Sequence, residues 1–326
     1  MLPSVPNKSK TTLIVTAANS KYYPLCLGLV QSLRGLKDGY AKDGMTLVNN
    51  PLETYRIAIA VMDGGLEPEQ IAKLQSYDVI VKQVPFLFDF PQGSVPKPHY
   101  NGFVERCNLP KHFPGYETYM WMDADTWVQD FNIGVRPYLQ FAAKGHLAIV
   151  PEVDRNIAFN EHHQNITVGW AHGNYSKYFG EEVAAAYCRK PMFNNGVFAA
   201  RADNPVWELW ESAMYVALLA NNYKPEFGID QISLNYVIYS APEAKAYPLP
   251  LVCNWMVTHA MPVIDNFDNT LREPLWPHEM IGVVHLLENT KWNRVGINRI
   301  DPVTSEQVGG DSIHLEYWSF SNYLPH

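Results

Sequence analysis

The chain has 326 residues, 47% of them hydrophobic and 18% charged, with a net charge of -8 and a pI near 5.8. That is enough core material for one large α/β domain or two average ones. It argues against the basic face of a nucleic-acid binder, and no like-charged block is long enough to act as an interaction tail.

The segment Thr12 to Ala17 (TLIVTA) is a β-branched run that predicts a buried strand. Pro24 suits the first turn of a helix, and Leu25, Leu29, Leu33 and Leu36 follow at helical spacing. Tyr55 to Met62 predicts a second strand ending at the turn Asp63-Gly64-Gly65. Glu67 to Ser76 predicts a helix and Tyr77 to Val84 a third strand. After the irregular, Pro-rich stretch Pro85 to Pro98, a helix is expected around Val104 to His112, then a strand at Tyr119 to Met122. Later strands are expected at Leu147 to Pro151, Gly196 to Ala200 and Ile281 to His285. Helices are expected at Trp207 to Ala220 and Ile232 to Tyr239, whereas Val153 to Phe179 carries no recognisable pattern and reads as a loop.

This alternation predicts an α/β fold with a mainly parallel sheet covered on both faces. Without a repeat or linker, residues 1–10 form a polar tail and 11–326 a single domain. Residues 11–130 would make a nucleotide-binding half and 131–326 a sugar and acceptor half. Cys26, Cys107, Cys188 and Cys253 are widely spaced without a CxxC pair, which suits a reducing compartment. The start MLPSVPNKSK lacks the apolar core of a signal peptide, and no run approaches a membrane span, so a soluble, cytoplasmic protein is expected. The sequons at Asn165 and Asn174 would matter only in a secreted protein.

The segment YMWMDADTWV, residues 119–128, places two acids directly after an apolar strand. Burying ionised carboxylates costs several kcal/mol or more without a partner, an order-of-magnitude figure. At i and i+2 at a strand exit, Asp123 and Asp125 would reach one ion, and hard oxygen ligands suit Mg²⁺ or Mn²⁺. A lone D-x-D triplet is otherwise a common turn or cap. His285 closes its apolar strand and could complete a ligand set, and Lys291 could face a diphosphate. With the Ala18 to Lys21 loop, these features lie at strand ends, where ligands bind in open α/β sheets.

Five segments, in order over residues 12–292, resemble the family 8 glycosyltransferases. That retaining group includes bacterial lipopolysaccharide galactosyl- and glucosyltransferases and the glycogenins. TLIVTAANSKYYPLCLGLVQSL is similar to the family's first strand and nucleotide loop, and RCNLPKHFPGYETYMWMDADTWV to its run into the D-x-D motif. FNNGVFAARADNPVWELW, DQISLN and HLLENTKW resemble its F-N-x-G-V, D-Q-D-x-L-N and H-x-x-G-x-x-K-P-W segments.

The resemblance implies a GT-A type fold and metal-dependent transfer of a hexose from a UDP-sugar, UDP-glucose or UDP-galactose, to a saccharide or other hydroxyl acceptor, with retention. Asp123, Asp125 and His285 would bind Mn²⁺ or Mg²⁺. Ala17 and Asn19 would border the uracil, Asp123 and Ala124 would lie at the donor, and Lys291 would touch the diphosphate. Arg106 and Asn194 would hold the donor sugar, and Asp230 and Gln231 would line the pocket at the anomeric carbon.

The sequence departs from the family pattern at Asn19 and Ser20, where acids are common, at Ile232, where D-Q-D has its second acid, and at Glu288, in place of a glycine. Lys291 runs directly into Trp292 without the usual proline, and the aromatic end (Tyr317, Trp318, Phe320, Tyr323) lacks the basic tail of some bacterial relatives. Competing readings are a non-catalytic carbohydrate- or nucleotide-sugar-binding relative and an inverting GT-A transferase. The latter would need a base such as Asp154, Asp203 or Glu226. A nucleotidyltransferase is disfavoured, because Ala17 to Lys21 is no glycine- and basic-rich phosphate loop.

Overall fold

The computed structural model describes residues 11–34, 36–37, 40–41, 52, 55–157, 161–292, 295–308 and 313–315. The polar tail, the side chains of His162 and His163, and the aromatic end at Tyr317, Trp318, Phe320 and Tyr323 lie outside the described residues.

Chain order gives β1 (Thr12–Ala18), the two-residue β2 (Leu36–Lys37) and β3 (Tyr40–Ala41), β4 (Ile57–Asp63), β5 (Val79–Lys82) and β6 (Thr118–Met122). Then follow β7 (Thr126–Val128), β8 (Leu147–Pro151), β9 (Phe193–Arg201) and β10 (Ala246–Pro248). A seven-stranded sheet has the order β10-β8-β9-β6-β1-β4-β5. Four of its six pairings are parallel, and β9 runs antiparallel to both β6 and β8. This is the mainly parallel α/β architecture that the alternation predicts.

The apolar runs exist because both sheet faces are buried. On β6, Met120 and Met122 join one core cluster, while Tyr119 and Trp121 join the other. The helix Tyr23–Arg34 covers the first face with Leu25, Cys26, Leu29, Val30 and Leu33. The helices Val206–Ala220 and Ile229–Ser240 bury Trp210, Met214, Ile232 and Leu234 in the second.

Several expectations are corrected. Leu36 lies in β2, beyond the helix, which ends at Arg34. The helix expected over Val104 to His112 is broken into Asn101–Val104, a 3-10 turn Arg106–Asn108 and Leu109–His112. Buried Glu105 sits at the first break, accepting hydrogen bonds from Leu87 N, Asn108 Nδ2 and His112 Nε2. Most of the stretch read as a loop to Phe179 is the helix Glu161–Phe179, whose Ala171, Tyr175 and Tyr178 are buried at helical spacing among polar neighbours. The strand expected to begin at Gly196 begins at Phe193, so Asn194 and Asn195 belong to β9.

The last correction concerns the site directly. The strand ending at His285 is not in the central sheet. β11 (Trp255–Met256), β12 (Val263–Asp265), β13 (Leu271–Arg272) and β14 (Val283–His285) follow β10, and β11-β14-β7 make a separate three-stranded sheet. β14 pairs antiparallel with β7, with His285 opposite Thr126. Among the described residues no helix is long and apolar enough to cross a membrane.

Candidate metal and donor site

The two acids sit in the turn between β6 and β7 rather than within a strand. Asp123 N donates to Gly196 O at 2.7 Å, and Asp123 O accepts from Thr126 N and Thr126 Oγ1 at 3.0 and 2.7 Å. The β7–β14 pairing then sets His285 across from this turn, with Leu286 N donating to Asp125 O at 2.9 Å. Ligand atoms of Asp123, Asp125 and His285 all lie within 4.8 Å of one another, so the group could hold a divalent metal. His285 Nε2 lies 3.4 Å from Asp125 Oδ1 and 3.8 Å from Asp123 Oδ2.

The donor chemistry fits such an ion. His285 is 1% exposed, and its buried Nε2 has no hydrogen-bond partner among the described residues. Gly196 leaves the space open: a Cβ there would lie 2.3 Å from His285 Cε1 and 2.9 Å from Asp123 Oδ2. Burial alone would raise the Asp125 carboxyl, but the neighbouring His285 imidazole and the Lys291 ammonium outweigh it and lower the group. Burial likewise works against the Lys291 ammonium, and Asp125, 2.5 Å away, overcomes it and raises that pKa. Asp123 is raised by burial and by Asp125, against the opposing pull of Arg106.

Arg106 is buried, and its guanidinium is committed to the protein. Nε donates to Gly102 O at 2.7 Å and Nη1 to Asn195 O at 3.0 Å. Nη1 also lies 3.2 Å from Asp230 Oδ2, and Nη2 3.2 Å from Asp123 Oδ1. The group stacks 4.6 Å from the Trp121 ring, and the Trp121 indole donates to Asp123 Oδ1 at 2.7 Å. Asp230 Oδ2 accepts a further 2.8 Å bond from Asn195 Nδ2. Asp230 lies inside its helix, and Gly228, in a left-handed conformation, occupies the N-cap.

A chain of polar side chains, two of them missed in the sequence, runs beside the metal ligands. Gln231 Nε2 and Asn194 Nδ2 both donate to Glu152 Oε1, at 3.0 and 2.9 Å. Asn194 Oδ1 accepts from Gly196 N and from Asn254 Nδ2, each at 3.0 Å. Asn254 Oδ1 faces His285 Nδ1 at 3.0 Å. Glu152 follows Pro151 at the end of β8, and Asn254 is fully buried just before β11; no local motif marks either.

The expected base-binding residues lie at the end of β1. Asn19 Oδ1 accepts from Tyr22 N at 3.1 Å, and Ala17 Cβ would meet a Cβ at Gly102 at 3.0 Å. The side chain of Ala124 is buried in the cluster with Leu25 and Trp127. Tyr22 and Trp292 pack edge to face at 5.6 Å, with Lys291 5.5 Å from the Tyr22 ring, so the 285–292 segment reaches the first strand's loop. Two of the acids named for an inverting reaction are tied elsewhere: Asp203 to Arg201, which pairs with the opposite end of β6, and Glu226 to Lys177. Asp154 bonds Asn156.

No protein-family model matches the sequence, and no curated protein does. Among solved structures, the glycosyltransferase GlyE of Streptococcus pneumoniae TIGR4 aligns with TM-score 0.50 and 15% identity over 96% of this chain and 60% of that one. The bifunctional glycosyltransferase WbbM gives TM-score 0.48 and 14% identity over 77% of this chain and 41% of that one. The galactosyltransferase LgtC, with donor and acceptor sugar analogues, gives 0.47 and 13% over 84% and 86%. This chain thus spans less than two thirds of the WbbM and GlyE chains. At such identities the likeness is one of fold, and the fold is α/β of the GT-A type.

Proposed function

We propose that the protein is a metal-dependent glycosyltransferase of the family 8 kind. It would move a hexose from UDP-glucose or UDP-galactose to a hydroxyl of a saccharide or other acceptor, with retention. The observation that carries this reading is the convergence of Asp123, Asp125 and the buried Nε2 of His285 beyond the end of β6, beside Lys291. Oxygen and imidazole ligands suit Mn²⁺ or Mg²⁺, and such an ion supplies Lewis-acid stabilisation to a departing diphosphate.

The chain's own residues account for the rest. Lys291, now paired with Asp125, brings a positive charge that would be turned to the diphosphate when the donor arrives. Arg106 fixes Asp123 and Asp230 relative to each other. Gln231 gives its amide hydrogen to Glu152, which leaves its carbonyl oxygen for the positive charge developing at the anomeric carbon. Asp230 is a poor nucleophile, because Arg106 and Asn195 already engage its Oδ2 and it is 3% exposed. Front-face attack follows, with the leaving phosphate oxygen taking the acceptor's proton. A trapped glycosyl adduct on Asp230 would overturn that route.

The experiment is donor hydrolysis over a panel of nucleotide sugars, with and without Mn²⁺, beside Asp125→Asn. Release of UDP from one donor, abolished by chelation and cut at least about 100-fold in the variant, is expected. Failure of both turnover and metal-dependent UDP binding would favour a non-catalytic carbohydrate-binding protein instead.

A further inference from the structure

The polar chain from Gln231 to His285 has only one self-consistent arrangement of donors and acceptors. A backbone N–H can only donate, so the 3.0 Å contact from Gly196 N requires the oxygen of Asn194 at that position. The Asn194 NH₂ group therefore faces Glu152 Oε1, an acceptor when ionised, as the 2.9 Å contact requires. Because Asn194 offers its oxygen, Asn254 must turn its own NH₂ group toward it. The Asn254 oxygen is left for His285 Nδ1, 3.0 Å away, which must then carry the hydrogen.

We propose that Asn254, locked in place by Asn194 and Glu152, is a positioning residue for His285. It holds the neutral ring as the Nδ1–H form, with the Nε2 lone pair directed at Asp123 and Asp125. The inference rests on the metal reading of these three residues. A metal-ligating imidazole needs its other nitrogen held by an acceptor, which sets both tautomer and ring orientation. Two further features agree. Nε2 is buried with no hydrogen-bond partner among the described residues and lies 3.4 and 3.8 Å from the Asp125 and Asp123 oxygens, as ligands around one cation would. Asn254 is fully buried, so water does not compete for its amide. Glu152 Oε1 also receives the Gln231 amide, so the same carboxylate anchors the metal histidine at one end and the residue at the anomeric carbon at the other.

The test has two readouts that do not depend on catalysis. Two-bond ¹H–¹⁵N spectra of the metal-free protein should show a hydrogen on His285 Nδ1; His285→Gln assigns the signal. A wild-type ring with its hydrogen on Nε2 alone overturns the proposal. Mn²⁺ titration followed by electron paramagnetic resonance should show Asn254→Leu weakened about 10–100-fold, the usual cost of removing a partner behind a metal ligand. Asn254→Asp still accepts from Nδ1–H but turns an acceptor to Asn194 Oδ1, so it should bind Mn²⁺ more tightly than Asn254→Leu and less tightly than wild type. Equal Mn²⁺ affinity in folded Asn254→Leu also overturns the proposal.

Should Asn254→Leu fail to fold, the half-buried Glu152 carries the test. Glu152→Leu should weaken Mn²⁺ binding, while Glu152→Gln, whose oxygen accepts the same two bonds, should not. A wild type that bound no Mn²⁺ would sink the functional reading, and the tautomer of the metal-free ring would still decide this one.

Discussion

Around the metal ligands, single atoms decide what the site can accept. Gly196 is the clearest case, since its missing side chain is the space between His285 and Asp123. Gly196→Ala should fold at a cost of about 1–3 kcal/mol, typical of overpacking, but lose most Mn²⁺ affinity. Urea titration beside metal titration separates the two effects, and an alanine variant with unchanged affinity would refute the cradle. Arg106 is a second single-residue lever. Arg106→Met strands the carboxylates of Asp123 and Asp230, and breaking such a buried pair from one side costs about 3–5 kcal/mol. Arg106→Lys should recover little of it, because an ammonium cannot reproduce a guanidinium bridge between two carboxylates and two carbonyls. Denaturant midpoints of the two variants test this directly. At this scale the sequence reveals acids that interrupt an apolar run, which is why Asp123 and Asp125 are legible. Glu152 and Asn254 are not, because their meaning lies in partners 42 and 60 residues away.

Elements are legible where their burial is complete and illegible where it is borrowed. β1, β6 and β8 read directly from the sequence, because strands covered on both faces must be continuously apolar. The direction of β9, and the sheet to which the three-residue β14 belongs, leave no such trace, since both are set by pairing with distant chain. β14 is held in place by a backbone approach that only glycines permit. A Cβ on Gly282 would lie 2.3 Å from Gly134 N, and one on Gly134 would lie 2.6 Å from the Gly282 carbonyl carbon. Gln129 ties the same region, donating to Leu271 O and Ile281 O and accepting from Leu271 N. Gly282→Ala should therefore push β14 from the helix Phe131–Gly134, destabilise the protein by about 1–3 kcal/mol or more, and weaken Mn²⁺ binding through His285. Full metal affinity in that variant would show that β14 keeps its place by other means.

Across the whole molecule, the two layers flanking the central sheet each carry buried thiols. Cys26 and Cys253 lie in one core cluster and Cys107 in the other, all 1% exposed or less. Burial pushes the thiols of Cys26 and Cys253 up to about 12 and that of Cys107 well above its ordinary range. A thiol reacts as its thiolate, so these three should resist Ellman's reagent in the folded protein and react fully in denaturant. The same shifts fix an alkaline limit. Below the unfolded value near 9.0 the thiols are protonated in both states, and they cost nothing. Above it the unfolded chain releases protons that the folded chain retains, so stability falls as pH rises from about 9 toward about 12. The slope is at most about 1.4 kcal/mol per pH unit for each thiol. Urea midpoints at pH 8 and above should record that decline, and Cys26→Ala should flatten it while leaving the Cys253 contribution. A folded protein whose thiols label at the rate of free cysteine, or whose midpoint is flat across this window, would mean that one of these layers opens to solvent.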